Sequence, residues 1–87
     1  MGWDLIAFIV RSSYRKRVFL ELSKVQRPSQ IAKSLNLRLT HVTRTIRELA
    51  DKELVTCLNP KDSMGRFYQL TPKGRSLLQD VKKLDKG

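Results

Sequence analysis

The side chains able to do chemistry in this 87-residue sequence are mostly cations and short polar groups, and the densest set is Thr40, His41, Thr43, Arg44 and Arg47. A guanidinium fork donates two hydrogen bonds at once to a planar pair of acceptors, and hydroxyl and imidazole groups add shorter polar contacts. On a helix turning by about 100° per residue, Thr40, Arg44 and Arg47 share one side, with His41 and Thr43 flanking them, and Val42, Ile46 and Leu49 line the other. Arg44 with Glu48 and Arg47 with Asp51 are also i, i+4 pairs, which can support a solvated helix by about 0.2–0.5 kcal/mol each. The two acids fall in the later half of this helix and the basic and hydroxyl groups mostly in the earlier half, a polarity that favours a ligand over a merely solvated face. Ser29 and Gln30 stand at a predicted helix start, where free N–H groups attract anions. Lys33 and Arg38 flank the turn that follows, and Lys61 and Arg66 flank a later hairpin tip.

Other chemistries are missing from the sequence. No pair of carboxylates, no nucleophile beside a base and no glycine-rich phosphate loop is present, so neither enzyme activity nor a cofactor is expected. With one histidine, His41, and one cysteine, Cys57, the sequence holds no metal-ligand cluster and no internal disulfide, which fits a reducing compartment without metal. Cys57 reads as a small core residue on a strand. The apolar run 5–10 is far shorter than the ~20 residues of a membrane span and lacks the flanks of a signal peptide, so a cytoplasmic protein with no membrane partner is expected. Charge points elsewhere. Lys and Arg number 18 against 8 Asp and Glu, a formal net charge of +10. From Arg11 to Arg47 there are ten basic residues and one acid, Glu21, so +9 of the +10 lies there. Such a chain is drawn to polyanions.

Several elements must position these groups. The segment Trp3, Leu5, Ile6, Ala7, Phe8, Ile9, Val10, with Asp4 in its first turn, reads as a helix apolar on all sides, which needs cover beyond one stripe and invites a second subunit. Ser12 or Ser13 caps a second helix to about Leu22, with Val18, Phe19 and Leu22 inward and Tyr14 one turn earlier. Arg27-Pro28 breaks the chain, Ser29 caps a short helix, and Ile31, Ala32 and Leu35 form its apolar face. Asn36-Leu37-Arg38-Leu39 is a tight connection in which Asn36 tolerates the left-handed conformation and Leu37 plugs the gap. The next helix starts at Thr40 or Thr43 and runs to about Lys52. Strands at 55–58 and 66–70, joined by a turn-forming 59–65, make a hairpin with a basic tip. Thr71-Pro72 opens a last helix, with Leu77, Leu78, Val81 and Leu84 at helical spacing.

A short helix, a tight turn, a longer helix and then a hairpin is the helix-turn-helix pattern followed by a wing. The fold class is therefore mainly α with a small β-hairpin, helices flanking a two- or three-stranded wing, in a single domain over 1–87. The stretch RPSQIAKSLNLRLTHVTRTIRELADKELV resembles the helix-turn-helix of the MarR/ArsR-like winged-helix regulators common in archaea and bacteria. Ile31-Ala32, Leu35, Leu37, Val42, Arg44, Ile46, Leu49 and Leu54-Val55 carry the resemblance, and Tyr68-Gln69-Leu70-Thr71-Pro72-Lys73-Gly74 resembles the family's strand-to-helix exit. It extends over roughly 18–78.

The resemblance implies a transcription regulator, a repressor, whose long helix enters the major groove of double-stranded DNA while the wing reaches phosphates or the minor groove. Arg44 and Thr40 are then expected at base edges, Thr43 and Arg47 at bases or phosphates, with His41 beside them. Ser29, Gln30, Lys33 and Arg38 are expected at phosphates, and Lys61 and Arg66 in the wing. The wing departs from the family pattern of a close Asp and Arg, since Ser63, Met64 and Gly65 separate Asp62 from Arg66. The cysteine clusters of metal-sensing ArsR-like proteins are absent. A homodimer is expected, with 1–12 and 72–85 as its elements through Trp3, Ile6, Ile9, Val10, Leu77, Leu78, Val81 and Leu84; the other reading is that these helices complete the core of one chain, and one helix can do both. A protein-interaction module of a larger complex and a non-specific DNA- or RNA-binding protein remain alternatives.

Overall fold

Helix ends in this chain are set by local hydrogen bonding that the residue types make possible. The computed structural model describes residues 3–62 and 65–84. Helix α1 (Trp3–Val10) carries Asp4 in its first turn. In α2 (Ser13–Glu21) the extended Ser12 is the cap, its hydroxyl accepting the Arg15 N–H at 3.3 Å. Helix α3 (Pro28–Leu35) corrects the predicted Ser29 cap. Pro28 already occupies the first helical turn, so the cap falls on Arg27, whose backbone N–H donates to Gln30 Oε1 at 2.8 Å. A guanidinium has no acceptor, so only this half of a capping box can form.

Asn36 takes the left-handed conformation, φ 56° and ψ 47°. The Leu37 N–H then reaches the Ala32 carbonyl at 2.9 Å and the Asn36 N–H reaches that of Lys33 at 3.4 Å, which is a Schellman closure. Because the turn closes so early, α4 (Leu39–Asp51) starts before the predicted threonines, with Arg38 as its cap and Leu39 inside the helix. A second Schellman closure ends α4. Glu53 has φ 62°, the Leu54 N–H bonds the Leu49 carbonyl at 3.0 Å, and the Glu53 N–H bonds that of Ala50 at 2.9 Å.

Strands β1 (Val55–Cys57) and β2 (Tyr68–Leu70) pair antiparallel, Val55 opposite Leu70 and Cys57 opposite Tyr68. Both are shorter than predicted. On the other edge of β2, Gln26 bridges Tyr68 through paired backbone bonds of 2.9 and 3.1 Å, joining the wing root to the entrance of α3. Of the predicted tip, Ser63 and Met64 lie outside the described residues, as do residues 1–2 and 85 of the predicted terminal helices. Helix α5 (Pro72–Leu84) opens as predicted. Thr71 Oγ1 accepts the Gly74 N–H at 3.0 Å and donates to the Glu53 carbonyl at 2.7 Å. A Cβ at Gly74 would run into the carbonyl of Leu54, so only glycine lets α5 lie this close to the end of α4.

Phe19, Val18 and Leu22 of the α2 region are fully buried at the centre, where α2 meets α1, α4 and α5. Helix α1 packs against α2 and α5, which takes Ile6, Ile9, Leu77 and Val81 into the core of one chain. This corrects their assignment to a partner surface: the cover that the apolar α1 demands comes largely from its own chain. Of the eight residues assigned to dimerisation, Trp3 and Leu84 stand exposed, at 68% and 54%, and Val10 and Leu78 are half-buried. Among the described residues no helix is long and apolar enough to cross a membrane.

Candidate nucleic-acid interface

Val42, Ile46 and Leu49 turn α4 inward, joined by Thr45 at 5% exposure, whose hydroxyl donates to the His41 carbonyl at 2.7 Å. A threonine bonded back to its own helix buries its methyl group without an unmet donor, so its polar type concealed it as a core position. The opposite side leaves Thr40, Thr43, Arg44 and Arg47 exposed. Among the described residues no side-chain hydrogen bond, ion pair or ring contact holds Arg44 or Arg47. The i, i+4 pairs that could have occupied them do not form. Glu48 turns to Arg15 on α2 instead, at 3.5 Å. Thr43 Oγ1 donates to the Thr40 carbonyl at 3.1 Å. His41 lies to one side of this set, half-buried with its ring 5.1 Å from that of Tyr14.

Ser29, Lys33 and Arg38 are exposed at the start of α3 and at the turn into α4. Gln30 is exposed too, but its carbonyl oxygen is taken by the cap. Lys61 and Arg66 are exposed in the wing. Asn59, which sequence reading treated only as a turn former, organises that wing. Its Oδ1 accepts the Phe67 N–H at 2.7 Å, and its Nδ2 donates to Asp62 Oδ2 at 2.9 Å and to the Gly65 carbonyl at 3.2 Å. Gly65 sits at φ 70°, the left-handed region open to glycine. The turn so formed brings Arg66 Nε to the Asp62 carbonyl at 2.7 Å, closing the gap that the sequence left between them.

Between the start of α3, the exposed flank of α4 and the wing lies a cleft of about 670 Å³. Ser29, Thr43, Arg47 and Arg66 line it, together with Arg27, which no sequence signal marked. Arg27 sits across the Gln26–Tyr68 bridge from the wing, with its guanidinium 5.5 Å from the centre of the Phe67 ring.

Not every cation of the basic segment is open to a ligand. Arg15 donates to the Phe8 carbonyl at 2.7 Å and lies 4.1 Å over the Phe8 ring, pinning α1 to α2. Arg17 Nη2 donates to the Leu35 carbonyl at 2.8 Å, a cation at the C-terminal end of α3 where the helix dipole favours it. Among the described residues no three His, Cys, Asp or Glu side chains gather as metal ligands do.

A family model described as winged helix-turn-helix matches residues 19–87. No curated protein sequence matches the chain. Among solved structures, a mutant of Lactococcus lactis ZitR in apo form is similar with a TM-score of 0.76 and 18% identity, over 93% of this chain and 64% of that one. The adhesin competence repressor AdcR of Streptococcus pyogenes is similar at 0.72 and 18%, over 95% of this chain and 64% of that one. A mutant of E. coli MarR in complex with operator DNA is similar at 0.71 and 23%, over 93% of this chain and 63% of that one. At these identities the likeness is one of fold. The chain spans less than two-thirds of the length of these solved chains.

Proposed function

The chain belongs to the winged helix-turn-helix family, and from that premise we propose that it binds double-stranded DNA sequence-specifically and represses transcription as a homodimer on an inverted repeat. The observation that carries this reading is the exposed face of α4, where Arg44 and Arg47 stand without an internal partner beside Thr40 and Thr43. Side chains held by no contact of their own lose none on meeting a ligand, and an arginine fork matches the O6 and N7 acceptors of guanine in the major groove. In the proposed complex the first half of α4 enters that groove. Arg44 and Thr40 read base edges, and Thr43 and Arg47 contact bases or the adjoining backbone. Ser29, Lys33 and Arg38 on one flank and Lys61 and Arg66 on the other contact phosphates. His41, half-buried on Tyr14, has a lesser part. The fold likeness to a MarR protein solved with operator DNA supports this docking. The role is one of binding, without catalysis, metal or cofactor, in the cytoplasm.

The test is selection of bound duplexes from a random DNA pool at roughly physiological salt, followed by sequencing. An inverted repeat with half-sites about one helical turn apart is expected. The affinity for it should fall with salt at a slope of about 0.9 per phosphate contacted. Recovery without a consensus would replace specific reading by general binding of DNA. One observation favours a second reading: Trp3 and Leu84 are large apolar side chains left exposed. A stable complex with a different protein, with no duplex recovered, would make the chain an assembly module docking through these side chains.

A further inference from the structure

We propose that the cleft between α4 and the wing seats one phosphodiester of a bound DNA strand, held by Arg27 together with Arg47 and Arg66. The inference rests on the DNA-binding reading above and adds to it a residue and a place. Among the described residues three arginines line one cleft of about 670 Å³, and no acidic residue lines it with them. Like charges gathered around a concave surface raise its potential and draw an anion to it. Ser29 and Thr43 line the same cleft, and the Ser29 hydroxyl supplies a donor suited to phosphate oxygens, while that of Thr43 is donated to the Thr40 carbonyl. The occupant follows from position. The cleft runs alongside the exposed face of α4, so a strand whose bases meet Arg44 passes its backbone between α4 and the wing.

Arg27 is prepared for this by its neighbours. Gln26 pairs with Tyr68, so Arg27 comes level with Phe67, and the guanidinium rests 5.5 Å from the ring centre. Its Nη1 also lies beside Gly65, 3.8 Å from where a Cβ there would stand. A guanidinium held over a ring has given up part of its rotamer freedom before the ligand arrives, so less is lost on binding. Among the described residues no hydrogen bond occupies the donors of its fork. Arg66 is engaged through Nε with the Asp62 carbonyl, which leaves its terminal nitrogens to donate. The side chain of Arg27 is not needed by its own helix, since the cap there is the backbone N–H bonded to Gln30.

The experiment uses the duplex recovered in the selection and measures affinity across a salt series for the parent, Arg27→Ala and Arg27→Lys. Arg27→Ala is expected to bind at least about tenfold more weakly, with a salt slope shallower by about 1.8, about 0.9 for each of the two protomers. Arg27→Lys is expected to keep the parent's slope and lose part of the affinity, having the charge without the fork. Duplexes carrying a single neutral methylphosphonate locate the contact. At one position in each half-site the parent should lose at least about tenfold, and Arg27→Ala should lose clearly less than the parent, only what Arg47 and Arg66 contribute. If Arg27→Ala does not fold, Arg27→Gln serves in its place, keeping a flat polar head without charge. A parent that binds the duplex with an unchanged affinity and slope in the Arg27 variants overturns this inference alone. A parent that binds no duplex overturns the DNA reading and this inference with it.

Discussion

Arg44 and Arg47 differ from Arg15 and Arg17 in their surroundings and not in their chemistry. Arg15 is occupied by a carbonyl, a carboxylate and a ring, and Arg17 by the last carbonyl of α3. The first pair is left to solvent. This division was not legible in the sequence, where all four are cations of one basic segment, because it depends on which helices cross. Glu48 illustrates the same point: within α4 it stands one turn from Arg44, yet α2 supplies a nearer cation. The assigned roles predict different losses. Arg44→Ala should relax base preference in the selected site by about 1–3 kcal/mol per half-site, whereas Lys33→Ala should weaken binding to all duplexes alike and lower the salt slope by about 0.9 per protomer. Affinities for the selected site and single-base variants of it check this. If Arg44→Ala discriminates between them as the parent does, α4 is docked in some other way.

At the scale of the element, the two Schellman closures use different residues to the same end. Asn36 is suited to the left-handed conformation, since its short polar side chain tolerates it. Glu53 is not, and it holds φ 62° because α4 must stop there for Leu54 to enter the core and β1 to begin. Its ion pair with Lys73, at 3.6 Å, is mostly solvent-exposed and weighs little against the backbone cost. Glu53→Gly is therefore expected to raise stability by about 0.5–1 kcal/mol, seen as a higher denaturant midpoint with an unchanged slope. A fall in the midpoint would mean that Lys73 or the wider chain end depends on the carboxylate. The wing is an element of another kind, built around the amide of Asn59 more than by strand pairing, and it carries Arg66 on the cleft.

For the whole molecule the main question is what covers the exposed end of α1 and α5. Packing of α1 into the angle between α2 and α5 satisfies Ile6, Ile9, Leu77 and Val81 inside one chain. Trp3 and Leu84 remain, both large, apolar and exposed, and a second copy meeting them about a twofold axis would match an inverted repeat in DNA. Sedimentation is expected to give twice the 10.1 kDa chain mass. Trp3→Ser combined with Leu84→Ser should return it to the single-chain mass with its helicity kept, because neither side chain contributes to the core. A parent that sediments as one chain at the concentrations used for DNA binding would remove the homodimer.

Much of the architecture could be read from residue order alone. Apolar spacing marked the inward faces of α2 and α3 and the stripe of α4. Proline and asparagine marked breaks, Thr71-Pro72 marked a helix start, and the lopsided charge raised the expectation of a polyanion. These are local properties, dictated by helical period and backbone preference within a few residues. What only the tertiary structure decided are matters of packing between distant segments. Helix crossing decided which arginines stay free and turned Thr45 inward. The approach of α5 to α4 requires the bare Gly74 beside Leu54. Pairing of Gln26 with Tyr68 placed Arg27 across from Phe67 and beside the wing, far from it in sequence, and so created the cleft that no run of residues announces.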